Sequence, residues 1–245
     1  MTDSLVVDIY PGDPPCNWAA YIAAGPPWCG AIFKLTQGLD YEYATWAAKQ
    51  RERFVYDSRY AVDLFDGFYH YLTFHQDGRL QAERFWGAME RVGGERTGTL
   101  WAMLDVERGG QRIANPSREL VEDRAGAWAA RYEQLSGRRA TLYGGELLRG
   151  VGVTSRLGCG RSAVALYGSR LGGPHEGTAD FLRRTGTDLE HLMLWQYRGT
   201  EPQSAGPPGC PMTAPGCGEI DISALVLPGG LERLRSTLWA ESPTP

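Results

Sequence analysis

Eight short β-rich runs recur along this chain, each closed by turn residues or polar groups: LVVDIY, AIFKLTQG, GFYHYLTF, LWAMLDVE, ATLYGG, AVALYGS, LMLWQYRG and EIDIS. Helical patterns lie between several of them. In RLQAERFWGAMERVGG, Leu80, Phe85, Met89 and Val92 recur at helical spacing. A further helix is predicted with Asn115 as its cap and Pro116 in its first turn. Leu120, Val121, Trp128, Tyr132 and Leu135 form its buried stripe, and Gly137 stops it. Strands and helices alternating over short loops are the pattern of parallel β/α units. With eight strands, that pattern predicts an α/β fold of the TIM-like kind, a closed or nearly closed barrel.

The last two strands break the alternation. They are joined by RGTEPQSAGPPGCPMTAPGCGE, residues 198–219, which is too rich in Pro and Gly for a helix, so the closing segment is expected to be irregular. No linker divides the chain. Residues 1–240 are therefore expected to form a single domain, with ESPTP, residues 241–245, as a flexible tail.

Composition removes several classes of function. At 245 residues and 42% hydrophobic, the chain can bury a substantial core. A net charge of -4 gives no basic footprint for nucleic acid, and no apolar run approaches the ~18 residues that cross a membrane. The N-terminus MTDSLVVDIYPGDPP has neither a basic n-region nor an apolar h-region, so no signal peptide is expected. Five cysteines are too few for a disulfide scaffold, and none forms a Cys-x-x-Cys pair. Cys16 with Cys29, and Cys210 with Cys217, each flank a Pro/Gly-rich loop; bridges and free thiols are both compatible with that spacing.

The chemistry gathers at strand ends. Side chains alternate along a strand, so Met103, Asp105 and Glu107 share one face while Leu104 and Val106 pack toward helices. Both acids then point inward at the end of a barrel strand, where β/α barrels build their active sites. The competing reading is a solvated strand terminus or an ion pair with Arg108. The pattern recurs, because Asp8 ends LVVD and Asp221 sits in EID, each after apolar residues where an unpaired carboxylate is expensive to bury.

Other strands offer Lys34, Gln37, Tyr69, His70, Tyr143, Tyr167, Trp195, Gln196 and Tyr197. A cleft of acids, aromatics and amides suits carbohydrate, since sugar rings stack on aromatic faces and their hydroxyls need many polar partners. Strand tyrosines and tryptophans also serve as core, and His70 can equally be a hydrogen-bonded interior histidine. The histidines show no metal-ligand spacing, and neither a Gly-x-Ser-x-Gly elbow nor a phosphate-binding glycine loop occurs. No metal or other cofactor is expected.

Taken in order, six motifs resemble glycoside hydrolase family 25, the lysozymes of the bacterial and phage muramidase type. VVDIYPGD is similar to that family's first strand, GAIFKLTQG to its second, DGFYHYLTF to its third and WAMLDVE to its Asp-x-Glu strand. LMLWQYRG and EIDISAL are similar to its closing strands. The resemblance covers about residues 5 to 226 and implies a flattened β/α barrel that hydrolyses the β-1,4 bond between N-acetylmuramic acid and N-acetylglucosamine. It also implies peptidoglycan glycan strands as the partner, with a monomer expected.

Matched position by position, the resemblance makes Glu107 the general acid, Asp105 its partner carboxylate, and Asp8 and Asp221 two further acidic site residues. Thr36-Gln37-Gly38 departs from the family's usual Thr-Glu-Gly, which removes one charge from the pocket rim. Glycoside cleavage needs a protonated acid at the glycosidic oxygen and a group that supports the oxocarbenium-like centre. Mutual repulsion should keep one acid of the Asp105–Glu107 pair protonated. Asp105 then either supports the reacting carbon or holds the sugar's 2-acetamido group for attack by its own carbonyl. The alternatives are a glycan-binding or virion barrel that lost activity and a hydrolase of another amino-sugar polymer such as chitin. The settings compatible with a chain lacking a signal peptide are a phage lysin, a virion-associated lysin and a delivered effector, each acting on the bacterial wall.

Overall fold

The computed structural model describes residues 4–58, 64–109, 111–153, 155–165, 191–198 and 211–225. Nine strands form one sheet: β1 Leu5–Ile9, β2 Trp28–Gln37, β3 Tyr41–Glu42, β4 Phe65–Tyr71, β5 Trp101–Asp105, β6 Thr141–Tyr143, β7 Arg161–Ala165, β8 Leu192–Arg198 and β9 Asp221–Leu225. Eight of them close a ring in the order β1, β9, β8, β7, β6, β5, β4, β2, because β2 pairs back with β1. The ninth, β3, is a two-residue antiparallel appendage on β2. The eight predicted runs supply the eight ring strands.

Within the ring every pairing is parallel except the two that β9 makes, with β1 and with β8. The barrel is therefore mixed. β9 follows β8 through the Pro/Gly-rich segment, whose sequence disfavours the crossover helix that parallel neighbours usually need. Residues 199–210 of that segment, and the 241–245 tail, lie outside the described residues.

Strand alternation sorts the apolar residues into two cores. Inside the ring, Val6, Ile32, Phe65, Tyr69, Trp101, Met103, Leu194 and Leu225 pack together. Between ring and helices lie Val7, Phe33, Phe68, Leu104, Val106, Trp195 and Ile222, one residue out of phase with the first set. The helices are α1 Trp18–Ala23, α2 Ala44–Ser58, α3 Gly78–Gly93, α4 Arg118–Ser136 and α5 Glu146–Gly150.

The longest helix among the described residues, α4, begins later than the sequence predicts. Its cap is Ser117, whose side chain accepts from the Leu120 amide at 3.2 Å, so Asn115 and Pro116 precede the helix. Both Asn and Ser can cap, and the first turn's orphan amides were met by the nearer hydroxyl. Gly137 does end it, in the left-handed region at φ 72, donating to the Glu133 carbonyl. Val121, Trp128 and Tyr132 are buried as predicted, while Leu120 and Leu135 are half-buried.

On α3, Phe85 and Met89 are buried but Leu80 is 51% exposed; Gln81 takes the inward position, about 100° further round the helix. The two helices meet closely at Gly78, where a Cβ would fall 2.1 Å from the Arg124 carbonyl oxygen. Any side chain there would push α3 off α4.

Candidate active site

The C-terminal ends of the parallel strands open on a pocket built from inward positions. Asp8 and Tyr10 come from β1 and its continuation, Lys34 from β2, Tyr69 and Tyr71 from β4, and Met103, Asp105 and Glu107 from β5 and the residues after it. Tyr143, Gln196 and Asp221 complete the lining, from β6, β8 and β9. Asp221 is the first residue of its strand, and the reversal of β9 brings that start to the mouth where the other strands end. All four acids singled out from the sequence thus line one pocket.

Burial governs their electrostatics. Asp8 is pushed well above the ordinary carboxylate range, first by burial and then by Asp221, Asp13, Asp105 and Glu107. Asp105 is pushed well above it by burial and by Glu107, with Lys34 opposing. Burial raises Glu107 too, but a hydrogen bond from Tyr143 and the charge of Lys34 pull it back. Asp13, whose carboxylate accepts from the Tyr10 amide at 2.8 Å, is raised to about 6, by burial ahead of every other cause. The pocket is a site where protons stay on carboxyl groups above the pH at which free acids lose them.

Lys34 counters this charge. Its Nζ lies 4.8 Å from the ring centre of Tyr71, 5.8 Å from that of Tyr69 and 5.9 Å from that of Tyr43, so aromatic faces hold the cation. Asp105 Oδ1 is buried without a hydrogen-bond partner. A buried acceptor left open costs ~1–3 kcal/mol, and the side chain that carries this one lines the pocket.

Glu107 lies just beyond β5, on a turn fixed from two sides. Gln111 Nε2 donates to the Glu107 carbonyl at 3.0 Å and to that of Leu72 at 2.7 Å. The Tyr71 hydroxyl reaches the Gly109 and Glu107 carbonyls from the neighbouring strand. Tyr143 stands beside the Glu107 carboxylate and also bonds Gln196 Oε1.

Three residues expected at the site lie elsewhere. His70 is fully buried on the outer face of β4, its Nδ1 2.7 Å from Thr36 Oγ1, its Nε2 3.1 Å from Gln81 Oε1, its ring stacked on Trp128. Burial lowers its pKa to about 3, so it is a neutral interior histidine. Trp195 packs outward in the core beneath the helices, next to Tyr197, while Gln196 between them faces the pocket. The cause in both cases is the two-residue alternation, which lets only one of two neighbours point inward.

Gln37 is half-buried at the end of β2, opposite Tyr41 and Tyr71, and does not line the pocket. The β2–β4 register slips between Lys34 and Thr36, ending the inward series at Lys34. Tyr167 lies outside the described residues. The sequence reading missed Tyr10 and Tyr71 as pocket residues, although each stands two positions beyond a residue that was recognised, Asp8 and Tyr69. Among the described residues, no group of three or more His, Cys, Asp or Glu is arranged to hold a metal ion.

Carboxylates kept protonated by burial, at the open end of a β/α barrel and among tyrosines, are the equipment of an acid-catalysed glycoside hydrolase. The chain belongs to glycosyl hydrolases family 25, whose model matches residues 7–152. Its fold is shared with the muramidase of Trichobolus zukalii (20% identity, TM-score 0.66, 97% of this chain and 99% of that one). It is shared equally with a bacterial lysozyme of Streptomyces coelicolor (18%, 0.67, 98% and 99%). The endolysin catalytic domain of a Listeria monocytogenes bacteriophage is also similar (16%, 0.56, 95% and 97%). No curated protein matches the sequence.

Proposed function

We propose that the protein is a lysozyme of the N-acetylmuramidase kind, hydrolysing the β-1,4 bond between N-acetylmuramic acid and N-acetylglucosamine in the bacterial wall. Family membership supports this reading, and the observation that carries it is the pairing of Asp105 and Glu107. One is a deep acid with an open acceptor atom; the other is a raised acid nearer the mouth. Glu107 donates its proton to the glycosidic oxygen. Asp105 Oδ1 accepts from the sugar's 2-acetamido N–H, which turns that group toward the reacting carbon and supports the positive charge that develops there.

Asp8 and Asp221 stand behind the pair and help keep protons on the cluster, while Lys34 opposes that rise at Asp105 and Glu107. Tyr69, Tyr71 and Tyr143 offer ring faces and hydroxyls to the glycan, and Gln196 offers its amide. The single sheet running from Leu5 to Leu225 supports one catalytic barrel, which we take to span residues 1–240; its action as a monomer on wall glycan strands is part of the proposal. No described helix is long and apolar enough to cross a membrane.

Mass spectrometry of digested peptidoglycan tests the reading. N-acetylmuramic acid is expected at the new reducing ends. N-acetylglucosamine at those ends, freed peptides, or digestion of chitin in place of peptidoglycan would refute it.

A further inference from the structure

Cys16 lies between β1 and α1, and Cys217 lies in the turn before β9. Two hundred residues apart in sequence, these segments run side by side. The Asn17 amide donates to the Gly216 carbonyl at 2.7 Å, and Gly218 faces Pro14, so the two run antiparallel. Gly216 has φ 72, and a Cβ on it would fall 2.6 Å from the Asn17 carbonyl oxygen, so only glycine allows this approach. Cys16 and Cys217 flank the Asn17–Gly216 bond, one on each segment, which brings them to the same place in the seam. Their thiols are hydrogen-bonded to one another. Both are free thiols here, Cys217 fully buried and Cys16 half-buried.

We propose that Cys16 and Cys217 are a disulfide-forming pair that clasps the β1–β9 seam of the barrel in oxidising surroundings. The oxidant is a small-molecule disulfide of the glutathione type. The Cys16 thiolate attacks one of its sulfurs and releases one thiol; the Cys217 thiolate then attacks the Cys16 sulfur and releases the second. Two protein thiols are oxidised and one disulfide is reduced to two thiols, with the thiol protons balancing the two released thiolates.

Cys16 is the entry point because it is the more exposed. Its thiol is held well above the ordinary range by the hydrogen bond with Cys217 and by burial, so exchange is slow at neutral pH and speeds up in alkali. The clasp joins the segment carrying Tyr10 and Asp13 to the one that delivers Asp221, so it braces one side of the pocket. Neither of the pairings open at the sequence level includes this bond. Cys29 sits at the opposite end of the barrel, its Sγ on the Leu5 carbonyl, and Cys210 lies outside the described residues.

The test treats the full chain with oxidised glutathione at about pH 9, held until the thiol count is constant because exchange at so raised a thiol is slow, then counts thiols after denaturation and maps peptides without reduction. Five titratable thiols are expected to fall to three. The protein becomes about 2 Da lighter, and a crosslinked peptide joins Cys16 to Cys217. The unfolding midpoint is expected to rise by roughly 5–15 °C and to return on reduction. Cys16→Ser and, independently, Cys217→Ala should abolish both the crosslink and the rise. A lasting glutathione adduct, a crosslink to Cys29, Cys159 or Cys210, or an unchanged thiol count would overturn the proposal.

Discussion

Asp8 and Asp221 stand directly opposite each other on the antiparallel strands β1 and β9, two carboxylates facing the same pocket. Like charges opposed across strands are destabilising, so this pair is kept against the interest of the fold. An acid whose folded-state pKa is raised contributes full stability only where it is protonated in both states, and loses it as pH rises toward the folded value. Asp8→Asn should therefore raise the unfolding midpoint at neutral pH by about 2–8 °C, and the gain should disappear near pH 3.5. Asp221→Asn relieves the same repulsion, so the double variant should gain less than the sum. Calorimetry across pH decides the matter; a loss of stability in both single variants at neutral pH would mean that the acids serve the fold.

Glu107→Gln keeps size and hydrogen-bonding reach but removes the proton. Turnover on peptidoglycan should fall roughly a hundredfold to ten-thousandfold with the unfolding midpoint preserved. Asp105→Asn should be comparably damaging, and damage on glycans that carry 2-acetamido groups should exceed damage on deacetylated ones. Equal losses on both would separate Asp105 from the acetamido group.

Tyr143→Phe removes the hydrogen bond that favours charged Glu107. Glu107 then holds its proton to higher pH, so the basic limb of the kcat/KM profile should move upward while turnover falls less than about tenfold. A downward move would place Tyr143 against the neutral form of Glu107.

His70→Ala should cost on the order of 1–3 kcal/mol of stability, through the lost Thr36 and Gln81 partners and the ring stack on Trp128, and leave KM unchanged where the variant is folded. Because its folded-state pKa is lowered to about 3, His70 also makes the parent lose stability as pH falls from ~6.5 toward that value. An altered KM in His70→Ala would bring the residue back to the site.

These residues show what a linear pattern can carry. Period-two alternation was enough to put Asp105 and Glu107 on the inner face, and the same rule, applied to the neighbours Tyr69 and His70, would have kept one and released the other. It would also have continued from Tyr69 to Tyr71 and chosen Gln196 over Trp195. Alternation is blind to strand direction, because a strand reads the same inward set either way. The antiparallel course of β9 became visible only in its pairing with β1 and β8. The register slip after Lys34 was hidden for a related reason: an extra residue leaves no compositional mark, while Gln37, an odd number of residues beyond Lys34, is off the inward series by alternation itself.

The ring order sets a schedule for synthesis. The last strand, β9, lies between β1 and β8, so the first strand waits for the final one before its open edge is covered. Asp8, Asp105 and Glu107 all emerge from the ribosome before Asp221, and until β9 is made nothing pairs with that edge of β1 or brings the fourth acid to the pocket. On the function proposed above, a product that ends before residue 221 keeps Glu107 and Asp105 but lacks the strand that covers β1, and it is expected to be inactive on wall polymer.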